Sequence, residues 1–138
     1  MNQGFIATVL KSGWLYFIGM VVATSAFWQS GFTKLFDFAG AQGEMAHFNL
    51  NPPVFFAIGT IIMQLGGSAL MIFGKRLAWI GAGVLALFTL GTIPIAHAFW
   101  KFQGQEAFTE RMFANANLTI VGALILAAIA AELKYGDR

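Results

Sequence analysis

Four polar side chains stand out in an otherwise apolar sequence because they could carry chemistry: Lys34, Gln64, His97 and Asn117. Lys34 lies within the stretch SGFTKLFDF (residues 30–38), where the first long apolar run ends and a polar segment begins. A lysine at a membrane surface either extends its amine to the lipid headgroups or turns inward toward a polar site. Lys34 is therefore the first candidate for a catalytic or binding residue.

Gln64 lies near the middle of the second apolar run, where lipid offers an amide no hydrogen-bond partner. The amide either clamps two helices together or contacts a carbonyl-bearing ligand such as a quinone. His97 ends the third apolar run, three residues after Pro94. Because imidazole gains and loses a proton near neutral pH, His97 is either a proton donor and acceptor or an amphipathic anchor at the membrane interface.

These residues predict one polar cluster, with Lys34, His97 and Asn117 at the outer ends of helices and Gln64 beneath them. In a quinone site, Lys34 would stabilise the reduced, anionic oxygen by its charge, and His97 would exchange a proton. These two are the predicted catalytic residues. Gln64 and Asn117 would orient the carbonyls, so that all four side chains would bind the quinone. No metal site is predicted, because the alternative of haem held by His47 and His97 has no supporting spacing signature.

The composition places the chain in a membrane. It has 138 residues, of which 58% are hydrophobic and 10% charged, with a mean hydropathy of +0.71, whereas about a quarter of the residues in soluble domains are charged. A net charge of +2 spread over several loops makes no basic patch, which excludes nucleic acid as a partner. The absence of cysteine excludes disulfides, thiolate-ligated zinc, iron–sulfur clusters and a CxxC redox relay on this chain.

The apolar runs predict an all-α membrane protein, an antiparallel bundle of four transmembrane helices that forms a single domain over residues 1–138. The predicted spans cover residues 13–32, 54–73, 77–100 and 115–132, joined by polar loops over 33–53 and 101–114 and by a tight turn at 74–76. Most basic residues fall on the side of the two termini and the tight turn, namely Lys11, Lys75, Arg76, Lys134 and Arg138. The positive-inside rule therefore predicts that both termini are cytoplasmic.

Several short motifs, in order along the chain, are similar to those of one known family. They are SGFTKL (residues 30–35) followed by Asp37, Pro52-Pro53, Gln64-Leu65-Gly66-Gly67, Gly74, His97-Ala98-Phe99-Trp100, and Asn117 with Gly122. On these motifs the chain resembles the DoxX family of small bacterial membrane proteins over nearly its whole length. The resemblance implies a four-helix membrane bundle in the bacterial inner membrane. The family commonly has a glutamate before the paired glycines, and Gln64 at that position disfavours a role in which this side chain moves a proton.

The family takes its name from a subunit of an archaeal thiosulfate:quinone oxidoreductase, so the resemblance also implies a quinone-linked redox function. The leading hypothesis is a subunit of a membrane redox complex, with a quinone as its one predicted cofactor. The alternative is a non-catalytic accessory subunit that packs against a larger membrane complex, and whether the chain is itself an enzyme stays open. A solute transporter is a weaker third hypothesis, because the sequence has no sign of broken helices or inverted repeats. The predicted partners are membrane lipids, together with protein subunits or further copies of the chain.

Overall fold

The computed structural model describes residues 3–136, and every regular element in that part of the chain is helical, as the sequence predicts. Arg138, one of the basic residues that predict the orientation, lies outside the described residues. Two 3₁₀ turns, Lys75–Leu77 and Phe99–Lys101, flank the sixth α-helix. The α-helices are α1 (Gln3–Lys11), α2 (Gly13–Ala23), α3 (Ser25–Phe36), α4 (Phe38–His47), α5 (Pro53–Phe73), α6 (Ala78–Ala96) and α7 (Gly104–Tyr135).

Three helical segments are long and apolar enough to cross a membrane: α5, α7 and the segment Lys75–Lys101, which contains α6. A fourth crossing is available if α1 and α2, which meet at a bend of 57°, form one broken span. α5 has 21 residues and is about 32 Å long, close to the hydrocarbon thickness of about 30 Å. α7 has 32 residues and is about 48 Å long, so its polar first turns extend past the hydrocarbon layer.

The predicted first span, residues 13–32, is not one continuous helix, because the chain breaks at Thr24 between α2 and α3. Thr24 is fully buried, and its hydroxyl donates to the Met20 carbonyl oxygen at 2.7 Å. The indole N–H of Trp28 donates to the Val21 carbonyl oxygen at the break, at 3.1 Å. A threonine that bonds to the carbonyl four residues back weakens and bends a helix, and hydropathy does not register this effect.

Both segments predicted as polar loops contain helix, which corrects that part of the prediction. α4 occupies the middle of the first segment, where Asp37 caps it by accepting a hydrogen bond from the Gly40 backbone N–H at 2.9 Å. α4 also buries Met45 in a small apolar cluster with Ala57 of α5. The second segment forms the first turns of α7, which begins at Gly104 with φ of 61° and continues without interruption.

α5 lies at the centre of the fold and packs against α2, α3, α4 and α6, while α6 also packs against α7. α5 and α6 fold back on each other and approach closely at two glycines. A Cβ atom on Gly81 would lie 2.5 Å from the Gly67 carbonyl oxygen, and one on Gly67 would lie 2.7 Å from the Leu85 side chain. Small residues at such positions let membrane helices pack backbone against backbone.

One face of α7 carries Glu110, Asn117, Leu124 and Ala131 at intervals of seven residues. Seven residues make nearly two helical turns, so these side chains are stacked along the helix. Leu124 and Ala131 are buried in the main apolar core, which α2, α3, α5 and α6 complete. The same face is therefore apolar toward the C-terminal end of α7 and polar toward its N-terminal half.

Candidate functional site

A cavity of about 650 Å³ lies among α3, α4, α5, α6 and α7. All four predicted site residues line it: Lys34 from α3, Gln64 from α5, His97 from the end of α6 and Asn117 from α7. The rest of the lining is mostly apolar and includes Phe27, Met45, Phe48, Leu50, Phe56, Met63, Leu87, Phe88, Ile95 and Ile120. A chiefly apolar chamber with a few polar groups is typical of small-molecule sites.

Lys34 lies in the last turn of α3, with 12% of its side chain exposed. Its ammonium group contacts the Glu44 carboxylate of α4 at 2.9 Å and donates to the Ser30 hydroxyl, one turn back, at 3.0 Å. These contacts occupy two of the three ammonium protons. The charge of Lys34 is therefore balanced by Glu44, and one donor remains for a molecule in the cavity.

Gln64 lies in α5 and is 5% exposed. Its side-chain oxygen, Oε1, is buried without a hydrogen-bond partner among the described residues. The nearby Ser68 hydroxyl donates instead to the Gln64 backbone carbonyl, at 2.6 Å. A buried acceptor without a partner lowers stability by about 1–3 kcal/mol. This oxygen therefore does not clamp two helices together, and it is available to a donor in the cavity.

His97 caps the C-terminus of α6, and its side chain is held by α7. Its Nδ1 atom lies 2.8 Å from Glu110 Oε2. The imidazole centroid lies 5.3 Å from that of the Phe113 ring, with the two planes inclined by 33°. Glu110 and Phe113 are neighbours on the helix surface, so one stretch of α7 orients the imidazole. With Nδ1 engaged, Nε2 is the nitrogen left for a molecule in the cavity.

Asn117 connects α7 to α6 through a short hydrogen-bond chain. Its Nδ2 atom donates to Thr92 Oγ1 at 2.9 Å, and the Thr92 hydroxyl donates to the Thr89 carbonyl oxygen at 2.7 Å. A hydroxyl has one proton, so Thr92 must accept from Asn117, and this fixes the orientation of the amide. Both threonines line the cavity. Sequence reasoning misses them, because threonine is ordinary in membrane helices as a residue that bonds to its own backbone.

Sequence reasoning also misses two acidic residues, Glu44 and Glu110. Each pairs with a basic residue of the cavity, and each lies in a segment predicted as a solvated loop. A helix predicted over residues 104–114 would supply the missing signal, because it places Glu110 and Phe113 on one face beside the end of the preceding span.

Two residues considered from the sequence lie away from the cavity lining. Asp37 is the N-cap of α4, and His47 is exposed with its ring 5.0 Å from that of Phe48. The positions of His47 and His97 therefore give no support to shared haem ligation. Within residues 3–136, no group of three or more His, Cys, Asp or Glu side chains is arranged to hold a metal ion.

The helices and the cavity define a class of protein: a helical membrane protein whose spans surround a largely apolar chamber. The model of the DoxX family matches residues 15–98, and the chain belongs to this family. The family resemblance seen in the motifs is thereby confirmed. Lys34, Gln64 and His97 fall within the matched segment, whereas Glu110 and Asn117 lie beyond it.

A similar protein of known location supports a place in the inner membrane. The chain is 28% identical over 115 residues to the inner membrane protein YphA of Escherichia coli (strain K12), covering 83% of this chain and 81% of that protein. No solved structure shows a significant match. The family, the relative and the apolar helices together make this a multi-pass protein of the bacterial inner membrane.

Proposed function

We propose that this protein is a quinone-binding subunit of a redox complex in the inner membrane. The observation that carries the proposal is the unpartnered Gln64 oxygen in the wall of a largely apolar cavity. A buried acceptor of this kind calls for a ligand that brings its own hydrogen-bonding groups. Lys34 and His97 on the same cavity add the charge and the proton exchange that quinone chemistry uses.

A quinone head group suits the size and lining of the cavity. It is a flat ring with two polar oxygens, and its apolar tail keeps it within the lipid. The cavity volume of about 650 Å³ falls in the range of about 300–1,000 Å³ that is usual for small-molecule sites. Phe27 and Phe88, whose ring centroids are 6.4 Å apart, offer aromatic surface to such a ring. The Gln64 amide suits both redox forms, because it can donate to a carbonyl or accept from a hydroxyl.

When bound, a quinone would supply the redox chemistry, in which two electrons from a partner subunit and two protons from water convert it to the quinol. The residues of this chain bind the head group and handle protons. Lys34 would donate a hydrogen bond from its remaining N–H to a quinone oxygen, and its charge would act more strongly when Glu44, which is 45% exposed, turns toward water. His97 exchanges a proton through Nε2. Asn117, held in place by Thr92, presents an amide of fixed orientation to the chamber.

The topology that goes with this proposal is an antiparallel four-helix bundle with both termini in the cytoplasm. In this topology the first crossing is α2 with α3, as the predicted span over residues 13–32 has it, rather than the bent pair of α1 and α2. α5, α6 and α7 make the other three crossings. The Lys134 side chain donates to the Lys11 carbonyl oxygen at 3.0 Å, which supports termini on the same side. Lys34 and His97 then lie toward the opposite, outer side, where protons can be exchanged with the periplasm.

Native mass spectrometry of the protein extracted from its own membranes in mild detergent tests the proposal. We expect a quinone on the isolated 14.9 kDa chain, and we expect its loss in Gln64→Leu, which keeps the volume and removes the amide. Gln29→Leu is the matched control, because Gln29 is an exposed residue of α3 that does not line the cavity. Wild-type protein that retains phospholipid but no quinone would contradict the proposal.

A second candidate function is that of a non-catalytic accessory subunit, and a groove of about 230 Å³ between α6 and α7 favours it. Several of the residues that line the groove are small, including Ala82, Gly83, Ala86 and Ala128. Such residues let a helix of another subunit approach closely. A photo-crosslinking residue at Gly83, where an added Cβ would contact nothing, should capture a larger membrane protein in native membranes. Crosslinks to lipid alone would remove the basis for this candidate.

A further inference from the structure

Glu110 is the acidic partner of His97, although it was not expected to belong to the site. Its side chain is 23% exposed, and its Oε2 atom lies 2.8 Å from His97 Nδ1. The His97 side chain is 25% exposed and lines the cavity. The two side chains therefore lie between the cavity and the protein surface, at the polar end of α7.

The contact with Glu110 decides which nitrogen of His97 carries the proton. A carboxylate oxygen accepts hydrogen bonds, so the contact of 2.8 Å assigns the proton to Nδ1. A neutral imidazole has one such proton, which leaves Nε2 as an acceptor. The hydrogen bond that one ring nitrogen makes is the usual means by which a protein sets the role of the other.

Two other charged groups near the pair are engaged elsewhere. The Arg111 guanidinium lies 5.2 Å from the centroid of the Phe99 ring, on the 3₁₀ turn that follows His97. Across the cavity, the Lys34 ammonium is paired with Glu44. In the described part of the chain, Glu110 is thus the charged group in direct contact with the imidazole.

We propose that Glu110 is a positioning residue for His97, and that through it the cavity selects a head group that donates a hydroxyl hydrogen bond. With its proton held on Nδ1, His97 offers Nε2 as an acceptor, and Gln64 offers the unpartnered Oε1 as a second acceptor. A quinol carries two hydroxyl donors, whereas a quinone carries none. The site therefore binds the reduced form more tightly, and the Glu110 carboxylate stabilises the imidazolium that forms when Nε2 takes a proton. The preference for a quinol rests on the proposed function, whereas the role of Glu110 in orienting His97 does not.

¹⁵N NMR of the full chain in lipid nanodiscs tests the protonation of His97 directly. The chain has two histidines, so ¹⁵N-histidine labelling in a His47→Gln background leaves the signals of His97 alone. At a pH where the imidazole is neutral, we expect the proton on Nδ1. Glu110→Ala should move it toward Nε2, while Glu110→Gln, whose amide can either accept from Nδ1 or donate to it, should leave the proton divided between the two nitrogens. Glu106→Gln, at an exposed position on the preceding turn of α7, is the control and should change nothing.

A wild-type spectrum with the proton on Nε2, or a spectrum that Glu110→Ala leaves unchanged, would overturn the positioning role. If Glu110→Ala does not fold, Glu110→Leu keeps the test decisive, because leucine retains the side-chain volume and has no acceptor, so the proton should again move toward Nε2.

Selectivity is measured by titrating the same proteins with ubiquinone-1 and with its quinol. We expect the wild-type chain to bind the quinol about tenfold more tightly, a difference of about 1.4 kcal/mol. Glu110→Ala should lose most of that preference, and Glu110→Gln should lose part of it. Equal affinities of the wild-type chain for the two forms would overturn the hydroxyl selectivity. If neither form binds, the proposed function fails and the selectivity fails with it, while the NMR spectra still decide whether Glu110 positions His97.

Discussion

The side-chain oxygen of Gln64 is buried without a hydrogen-bond partner, and this lowers the stability of the folded protein. Replacing Gln64 therefore tests whether the oxygen is unpartnered. Leucine has a similar volume and no polar atom, so Gln64→Leu should stabilise the ligand-free protein by about 1 kcal/mol. Thermal unfolding in detergent, followed by circular dichroism, should show a higher midpoint than that of the wild-type protein. The exposed control Gln29→Leu should unfold at the wild-type temperature. A lower midpoint for Gln64→Leu would mean that Oε1 is hydrogen-bonded in the folded protein.

The ion pair between Lys34 and Glu44 is unequal, because the lysine side chain is 12% exposed and the glutamate side chain 45%. Removing the carboxylate leaves a nearly buried ammonium unpaired, whereas removing the ammonium leaves a carboxylate that water can reach. We expect Glu44→Ala to lower the free energy of unfolding by about 1–2 kcal/mol and Lys34→Met to lower it by less. Thermal or denaturant unfolding of the two variants in the same detergent gives the comparison. The reverse order would show that Lys34 reaches the headgroups once it is unpaired.

The basic and amide residues that line the cavity stand out in the sequence, whereas the acidic residues paired with them do not. A polar side chain within or at the end of an apolar run needs a partner, and this makes it conspicuous. Glu44 and Glu110 lie in polar segments, where a glutamate is equally at home in a solvated loop. Only the fold brings each of them to a basic side chain of the cavity.

At the scale of helices, the sequence predicts the ends of α5 closely and misses α4 entirely. α5 runs from Pro53 to Phe73, because a proline suits the first turn of a helix and the glycine that follows suits its end. α4 and the first turns of α7 carry too many polar residues to register as membrane spans. The break at Thr24 depends on a buried hydroxyl that bonds to the backbone. A hydropathy pattern does not show that this threonine is buried, so it does not predict the break.

The contact between α5 and α6 depends on Gly81, where an added Cβ would lie 2.5 Å from the Gly67 carbonyl oxygen. Because that neighbour is backbone, Gly81→Ala must push the two helices apart, and we expect a loss of about 1–3 kcal/mol in stability. Gly83→Ala is the matched control on the same helix, since a Cβ there meets nothing within 4 Å. Unfolding midpoints in detergent should fall for Gly81→Ala and stay unchanged for Gly83→Ala. Equal midpoints for the two variants would mean that α5 and α6 are farther apart in the membrane.

At the scale of the whole molecule, the all-helical class and the membrane location follow directly from composition, whereas the orientation depends on a modest charge bias. The chain has no cysteine, so single cysteines can report on each side of the membrane. We expect a membrane-impermeant maleimide to label Gly43→Cys, at an exposed position of α4, in intact spheroplasts. Gly4→Cys, on α1, should be labelled only after the membrane is permeabilised. Neither position would crowd a neighbour, because an added Cβ meets nothing within 4 Å at either glycine. Labelling of both from outside would contradict the proposed topology.

α7 is one uninterrupted helix that connects the two ends of the molecule. Glu110 and Ala131 lie on one face, 21 residues apart, which corresponds to about 32 Å along the axis. Because α7 is one continuous helix, a displacement of its C-terminal end can be transmitted toward its N-terminal half. Lys134 ties that C-terminal end to the Lys11 carbonyl of α1. In the proposed topology, a displacement of α1 that this exposed hydrogen bond passed to α7 would reach the Glu110 carboxylate along one continuous helix.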